Sequence, residues 1–224
     1  MLEPQPLSGS ERRVLAHIAL LGIGTTRSIA RTCFGGDHGQ ARLTLTRLIA
    51  RQAVYRHRLD FTMPSAYFSP SRHPLRGQEL SSRLALLQFG YCLRQPRPYL
   101  DAVAFDALLG DVARKAGFAT PAWRPCYVVR RGCNASLSLA LAGRSEHLQR
   151  SLVHLDHFVD ASEFAPYRLF IQAGRFLLTF LQPGPDAAAA ELGRWIRRRP
   201  LTARGATTLE VPVMVCTTRV PATA

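Results

Sequence analysis

Lysine is almost missing from this chain: of its 29 basic residues, all but Lys115 are arginine. Acidic side chains are scarce too, 15 in 224 residues, which leaves a formal net charge of +14. A surface so poor in negative charge cannot neutralise itself, and it attracts polyanions such as nucleic acid or anionic membrane. A GC-rich genome would also favour Arg and Ala, so the charge suggests nucleic acid without establishing it. Long apolar runs are absent. The stretch Leu15–Ile23 is interrupted by His17 and Gly22, and none approaches the roughly 20 residues that span a bilayer. Met1–Ser10 lacks the basic patch and apolar run of a signal peptide. No membrane partner is therefore expected.

Cysteine is present but unpatterned. Cys33, Cys92, Cys126, Cys133 and Cys216 are odd in number and none stands in CxxC spacing. This argues against a disulfide framework and against a zinc finger. Reduced thiols in a cytoplasmic, nucleoid-associated protein are expected. There is no phosphate-binding Gly-rich loop, because the Gly35-Gly36 pair is not followed by the required Lys. Neither a cofactor nor a metal is expected.

What is there is concentrated at the N-terminus. Ser10 is a plausible cap for a first helix, with Val14, Leu15, Ile18 and Leu21 at helical spacing and Gly22 and Gly24 ending it. Thr25 or Thr26 caps a second helix, Arg27–Cys33, and Phe34-Gly35-Gly36-Asp37 breaks the chain. A third helix is expected from about Gly39 to Gln52. The strand-like Ala53–Leu59, a polar turn, and Ala66–Ser69 then form a hairpin.

Centring the inner face of the third helix on Leu45 brings Ala41, Leu48, Ile49 and Gln52 to its side. Gln40, Leu43, Thr44, Arg47 and Arg51 then point outward. An apolar inner face with outward Arg and short polar residues is what a DNA-reading helix needs. Arg can fork onto guanine, Gln onto adenine, and Leu can meet a thymine methyl. Arg56, His57 and Arg58 on the hairpin could follow the phosphate backbone, and Arg27 and Arg31 could hold it on the other flank. These ten residues are the candidate double-stranded-DNA contacts. Residues 8–72 thus read as a winged helix-turn-helix.

The run Leu15–Leu21, Thr25–Arg31, Phe34-Gly35, Ala41…Leu45…Leu48 and Ala66-Tyr67-Phe68 resembles the winged helix of plasmid replication-relaxation proteins, over about a third of the chain. The resemblance implies an origin in a bacterial plasmid or integrating element. It also implies a second domain similar to restriction endonucleases, of which the ββ-α-β order of residues 126–181 would be a degenerate version. A nuclease of that type needs an Asp and an acidic-x-Lys pair on adjacent strands to hold Mg²⁺. Leu137–Leu141 and Tyr127–Arg130 carry no carboxylate, so no catalytic residue is assigned.

The stretch Ser69–Gln78, with Pro70, Pro74 and Gly77, opens a linker placed at residues 73–98. Residues 99–224 read as a small mixed α/β domain, making the chain α+β overall. Its expected elements are a helix over Tyr99–Ala116 with Val103, Leu108, Leu109 and Val112 inward, strands around Gly132-Cys133-Asn134, and a helix over Ser145–Asp160. Two strands follow over Arg168–Leu181, then a helix over Asp186–Arg199 and a strand over Thr208–Thr217 that Pro212 weakens. His154 and His157 have a spacing that could ligate metal, but no third ligand is placed, so they read as a solvated helix face. Arg197-Arg198-Arg199 suits a helix C-terminus. The expected function is sequence-specific DNA binding, in transcription regulation on a mobile element, by a homodimer whose C-terminal domain meets a copy, a protein partner or a small effector. An accessory factor of plasmid replication or mobilisation is the alternative, and a metal-dependent nuclease the second.

Overall fold

Two segments that sequence reasoning left as loop or strand turn out to be helices, and they define the architecture. The computed structural model describes residues 6–58, 65–70, 75–93, 97–107, 126–131, 134–150, 165–184, 186–198, 200–203 and 209–218. The chain divides into two units: Met1–Arg76 with Tyr91–Pro96, and Gly77–Gly90 with Arg97–Ala224. Both mix helices with sheet. No helix among the described residues is long and apolar enough to cross a membrane.

The N-terminal unit runs α1 (Gly9–Leu21), β1 (Gly24–Thr25), α2 (Thr26–Cys33), α3 (His38–Ala50), β2 (Tyr55–His57) and β3 (Ala66–Phe68). The cap of α1 is Ser8, not Ser10. The Ser8 side chain accepts from Glu11 N at 3.2 Å while Glu11 Oε2 accepts from Ser8 N at 2.7 Å. Ser8 wins because Glu11 then stands at the third helical position, where its carboxylate can reach back. Gly22 ends the helix at φ 76°, a left-handed conformation that costs glycine no steric penalty. Thr25 and Ser28 form a second reciprocal cap on α2, and Asp37 caps α3 by accepting from Gln40 N at 3.0 Å. The three strands form one antiparallel sheet in the order β1-β3-β2. Val14, Ile18, Ile29, Leu45 and Leu48, all at most 1% exposed, make the core. Burial of such a side chain is worth roughly 1.5–3 kcal/mol.

The second unit opens with α4 (Gly77–Leu87), inside the expected linker. Its Leu80, Leu84 and Leu87 recur at helical spacing and are buried, so flanking Pro and Gly mark the ends of a helix rather than a flexible tether. A π turn, Gln88–Cys92, continues it. Residues 102–107 and 145–150 are helical. Then come β4 (Cys126–Arg131), β5 (Asn134–Ala142), α5 (Ala165–Gln172), β6 (Phe176–Pro183), α6 (Asp186–Arg198), β7 (Thr202–Ala203), β8 (Leu209–Glu210) and β9 (Val213–Thr218).

The main sheet has the order β4-β5-β6-β9. β4 is antiparallel to β5, while β5, β6 and β9 are parallel. The expected first strand of Arg168–Leu181 is helix α5 instead: its short apolar run fits either period, and Phe170 and Ile171 pack into the core beneath the sheet. Pro212 separates β8 from β9, as its missing N–H requires. Leu137, Leu139, Phe176, Leu178 and Phe180 share one sheet face and pack with Phe170, Leu192 and Ile196. Val103, expected inside, is 79% exposed, and Phe105 is the buried residue of its helical turn. Leu108, Leu109, Val112, Trp123, Cys133, His154, His157 and Arg199 lie outside the described residues.

Candidate nucleic-acid interface

Helix α3 owes its place to the two turns before it. Gly35 and Gly36 both have positive φ, the Gly36 N–H donates to Ala30 O at 2.8 Å, and Asp37 then starts the new helix. On α3, Ala41, Thr44, Leu45 and Leu48 are buried. This is the i, i+3, i+4, i+7 pattern, and its centre lies about 50° from Leu45 on a 100° wheel. Thr44 is therefore not a DNA-facing residue: at 5% exposure it is part of the packed face. Its methyl and small hydroxyl fit where a longer polar side chain would not. Rotating the face exposes Arg42, Thr46 and Ile49 instead.

These three side chains line a concavity of about 530 Å³ together with His38, Arg27 of α2, and Arg56, Ser65 and Tyr67 of the hairpin. None of its lining residues is acidic. Arg56 is oriented by its Nε donating to Ser65 Oγ at 2.8 Å across the β2–β3 ribbon. Thr26 Oγ1 and the Tyr67 hydroxyl meet at 3.4 Å on the floor, tying the start of α2 to β3. Stacking of Tyr55 on Phe68 at 5.3 Å and the edge contact of His57 with Phe68 at 6.4 Å brace the hairpin. Three guanidinium groups from three elements thus surround one hollow, a geometry suited to a phosphodiester chain or to base edges flanked by phosphates.

The other sequence-derived candidates divide. Arg27 and Arg56 line the hollow. Gln40, Leu43 (47% exposed) and Arg47 are exposed on flanks of α3, and His57 and Arg58 are exposed at the end of the hairpin strand. Arg51 is drawn to α1, with Nε 3.6 Å from Glu11 Oε1. Glu11 sits below its ordinary pKa mainly because the Ser8 N–H donates to it, with Arg51 and then Arg47 adding their charge. Arg31 turns away as well: its Nη1 donates to the carbonyls of Leu93 and, at 3.5 Å, Tyr91. His38, Arg42, Thr46, Ile49 and Ser65 were missed. Treating Thr44 as an inward residue of the Ala41 pattern would have found the three on α3's face.

His17 of α1 is 5% exposed and its Nε2 lies 3.0 Å from Ser28 Oγ, with Tyr91 edge-on at 4.7 Å. Burial pushes its pKa down to about 4, so it is neutral at pH 7 and serves as a packed polar link between α1 and α2. Among the described residues no group of three His, Cys, Asp or Glu could hold a metal ion. The described strands of the four-stranded sheet carry neither Asp nor Glu. No family model, curated protein or solved structure matches the chain.

Proposed function

We propose that the N-terminal unit is a winged helix-turn-helix that reads duplex DNA, and that the chain is a sequence-specific regulator of transcription. The observation that carries this reading is the convergence of Arg27, Arg42 and Arg56 on one acid-free hollow beside α3. The element order supports it: a strand between the first two helices and a hairpin after the third, in one β1-β3-β2 sheet, is the arrangement of a reading helix with a wing. Arg42 and Thr46 are the base-reading residues in this account. Arg27 and Arg56 hold phosphates from α2 and from the wing. Arg51 serves the fold.

The placement on a bacterial mobile element rests on the resemblance of residues 8–72 to replication-relaxation proteins. The second unit binds rather than catalyses in this reading, since the described strands of its four-stranded sheet carry no carboxylate for a metal. It also pairs two copies, because two half-sites multiply affinity. Edge strand β9, with half-buried Val213 and Val215 beside Ala190 and Gly193 of α6, is the candidate seam.

Fluorescence anisotropy with a duplex selected by the full chain tests the reading. Arg42→Ala should weaken binding by roughly 5- to 150-fold, the value of about 1–3 kcal/mol for one bidentate base contact. Arg51→Ala should leave affinity within about threefold, as expected for a surface change away from the contact. A larger loss from Arg51→Ala than from Arg42→Ala would reverse the assignment of the face.

A further inference from the structure

The hollow beside α3 contains an apolar strip for which a phosphate has no use. Arg42, Thr46 and Ile49 stand at i, i+4 and i+7, so they form one stripe along the helix, and all three line the hollow. Ile49, at the C-terminal end of the stripe, is 37% exposed. Leu45, one turn before it, also lines the hollow. Leu43, the other large apolar side chain exposed on α3, does not.

Thr46 is less polar than its formula suggests. Its hydroxyl donates to Arg42 O, one turn back, at 3.0 Å. The hydroxyl proton is thereby spent on the helix itself. What Thr46 has left for a ligand is a methyl group and an acceptor oxygen.

Arg27, Arg42 and Arg56 suit a phosphodiester chain, but aliphatic carbon gives a phosphate oxygen nothing in exchange for the water it displaces. The stripe suits base edges instead. In the major groove the base pairs present hydrogen-bonding groups and a single apolar one, the C5 methyl of thymine. A guanidinium at one end of the stripe and carbon at the other therefore match a guanine and a thymine. Seven residues separate Arg42 from Ile49, a rise of about 10 Å, which spans about three base-pair steps.

We propose that Ile49, together with the Thr46 methyl, recognises the C5 methyl of a thymine lying within about three base pairs of a guanine held by Arg42. This rests on the reading of α3 as the DNA-reading helix. It adds the base and the groove, since the C5 methyl lies in the major groove alone. Ile49 is then a specificity-determining residue. It favours one base over another and contributes little to binding of unselected DNA, which the arginines supply.

Fluorescence anisotropy with the full-length chain tests this, using the duplex that the chain selects. Each thymine of the bound site is replaced in turn by uracil, which differs only in lacking the methyl. At one position uracil should weaken binding roughly fourfold, the worth of one buried methyl group. Ile49→Ala should bind the thymine and uracil duplexes within about twofold of each other, because the coupled contact is gone. Thr46→Ser keeps the hydroxyl bond to Arg42 O and removes only the methyl, and it should lower the discrimination too. A selected site without thymine, or one bound as tightly with uracil at every position, would overturn the methyl contact while leaving DNA reading by α3 in place. So would a uracil penalty that stays undiminished in Ile49→Ala, or in Thr46→Ser should Ile49→Ala fail to fold by circular dichroism. A chain that selects no duplex would overturn both the contact and the reading on which it rests.

Discussion

Acidifying the protein from pH 7 to pH 5 should loosen the N-terminal unit through His17. The folded state holds His17 neutral down to about pH 4, whereas the unfolded chain takes up the proton near 6.5. Its folded pKa is depressed, so its contribution is intact above 6.5 and falls away as pH drops toward 4. At 1.36 kcal/mol per pKa unit, the loss is about 2 kcal/mol by pH 5 and about 3 kcal/mol by pH 4. Glu11 acts in a separate, lower window, because its depressed pKa preserves its contribution above 4.5 and surrenders it only below.

Urea unfolding followed by far-UV circular dichroism at pH 7, 6 and 5 measures this. Both tryptophans, Trp123 and Trp195, belong to the second unit, so Trp fluorescence follows that unit independently. His17→Gln can keep a hydrogen bond to Ser28 but cannot titrate. It should be less stable at pH 7 and lose the decline between pH 7 and pH 5. A wild-type unit as stable at pH 5 as at pH 7, or a mutant with the wild-type decline, would refute the reasoning.

Three further outcomes follow from the same geometry. Thr44→Arg should unfold the N-terminal unit, costing roughly 3 kcal/mol or more by burying a charge, while Thr46→Arg should leave its thermal transition unmoved, as calorimetry would show. Ser8→Ala removes one half of a reciprocal cap and should destabilise α1 by about 0.5–2 kcal/mol in urea titrations. Arg56→Ala should weaken binding to all duplexes alike and lower the slope of log K against log salt by about one, since one phosphate contact is lost.

The breakers of the N-terminal unit and the cap of α2 were readable because their signals are local, whereas the cap of α1 was read at Ser10 instead of Ser8. Gly22, Thr25, Asp37 and the hairpin residues each act within three or four positions of themselves. The exposed face of α3 was not, because Thr44 is polar in composition but small enough to pack, and polarity alone placed it outside. Arg51 and Arg31 were misplaced for a different reason. Their partners, Glu11 and the carbonyls at Tyr91 and Leu93, lie about forty and sixty residues away in sequence, and only tertiary structure brings them together. In the second unit, α4 was hidden by its flanking Pro and Gly, and α5 by an apolar run too short to show its period.

The central claim is that this chain selects DNA sequences through α3. Repeated selection of random duplexes by the full-length protein, followed by sequencing, tests it most directly. The account predicts a defined motif in the wild-type pool that is lost with Arg42→Ala and retained with Arg51→Ala. A pool that stays random through successive rounds, with no duplex bound at physiological salt, would contradict it.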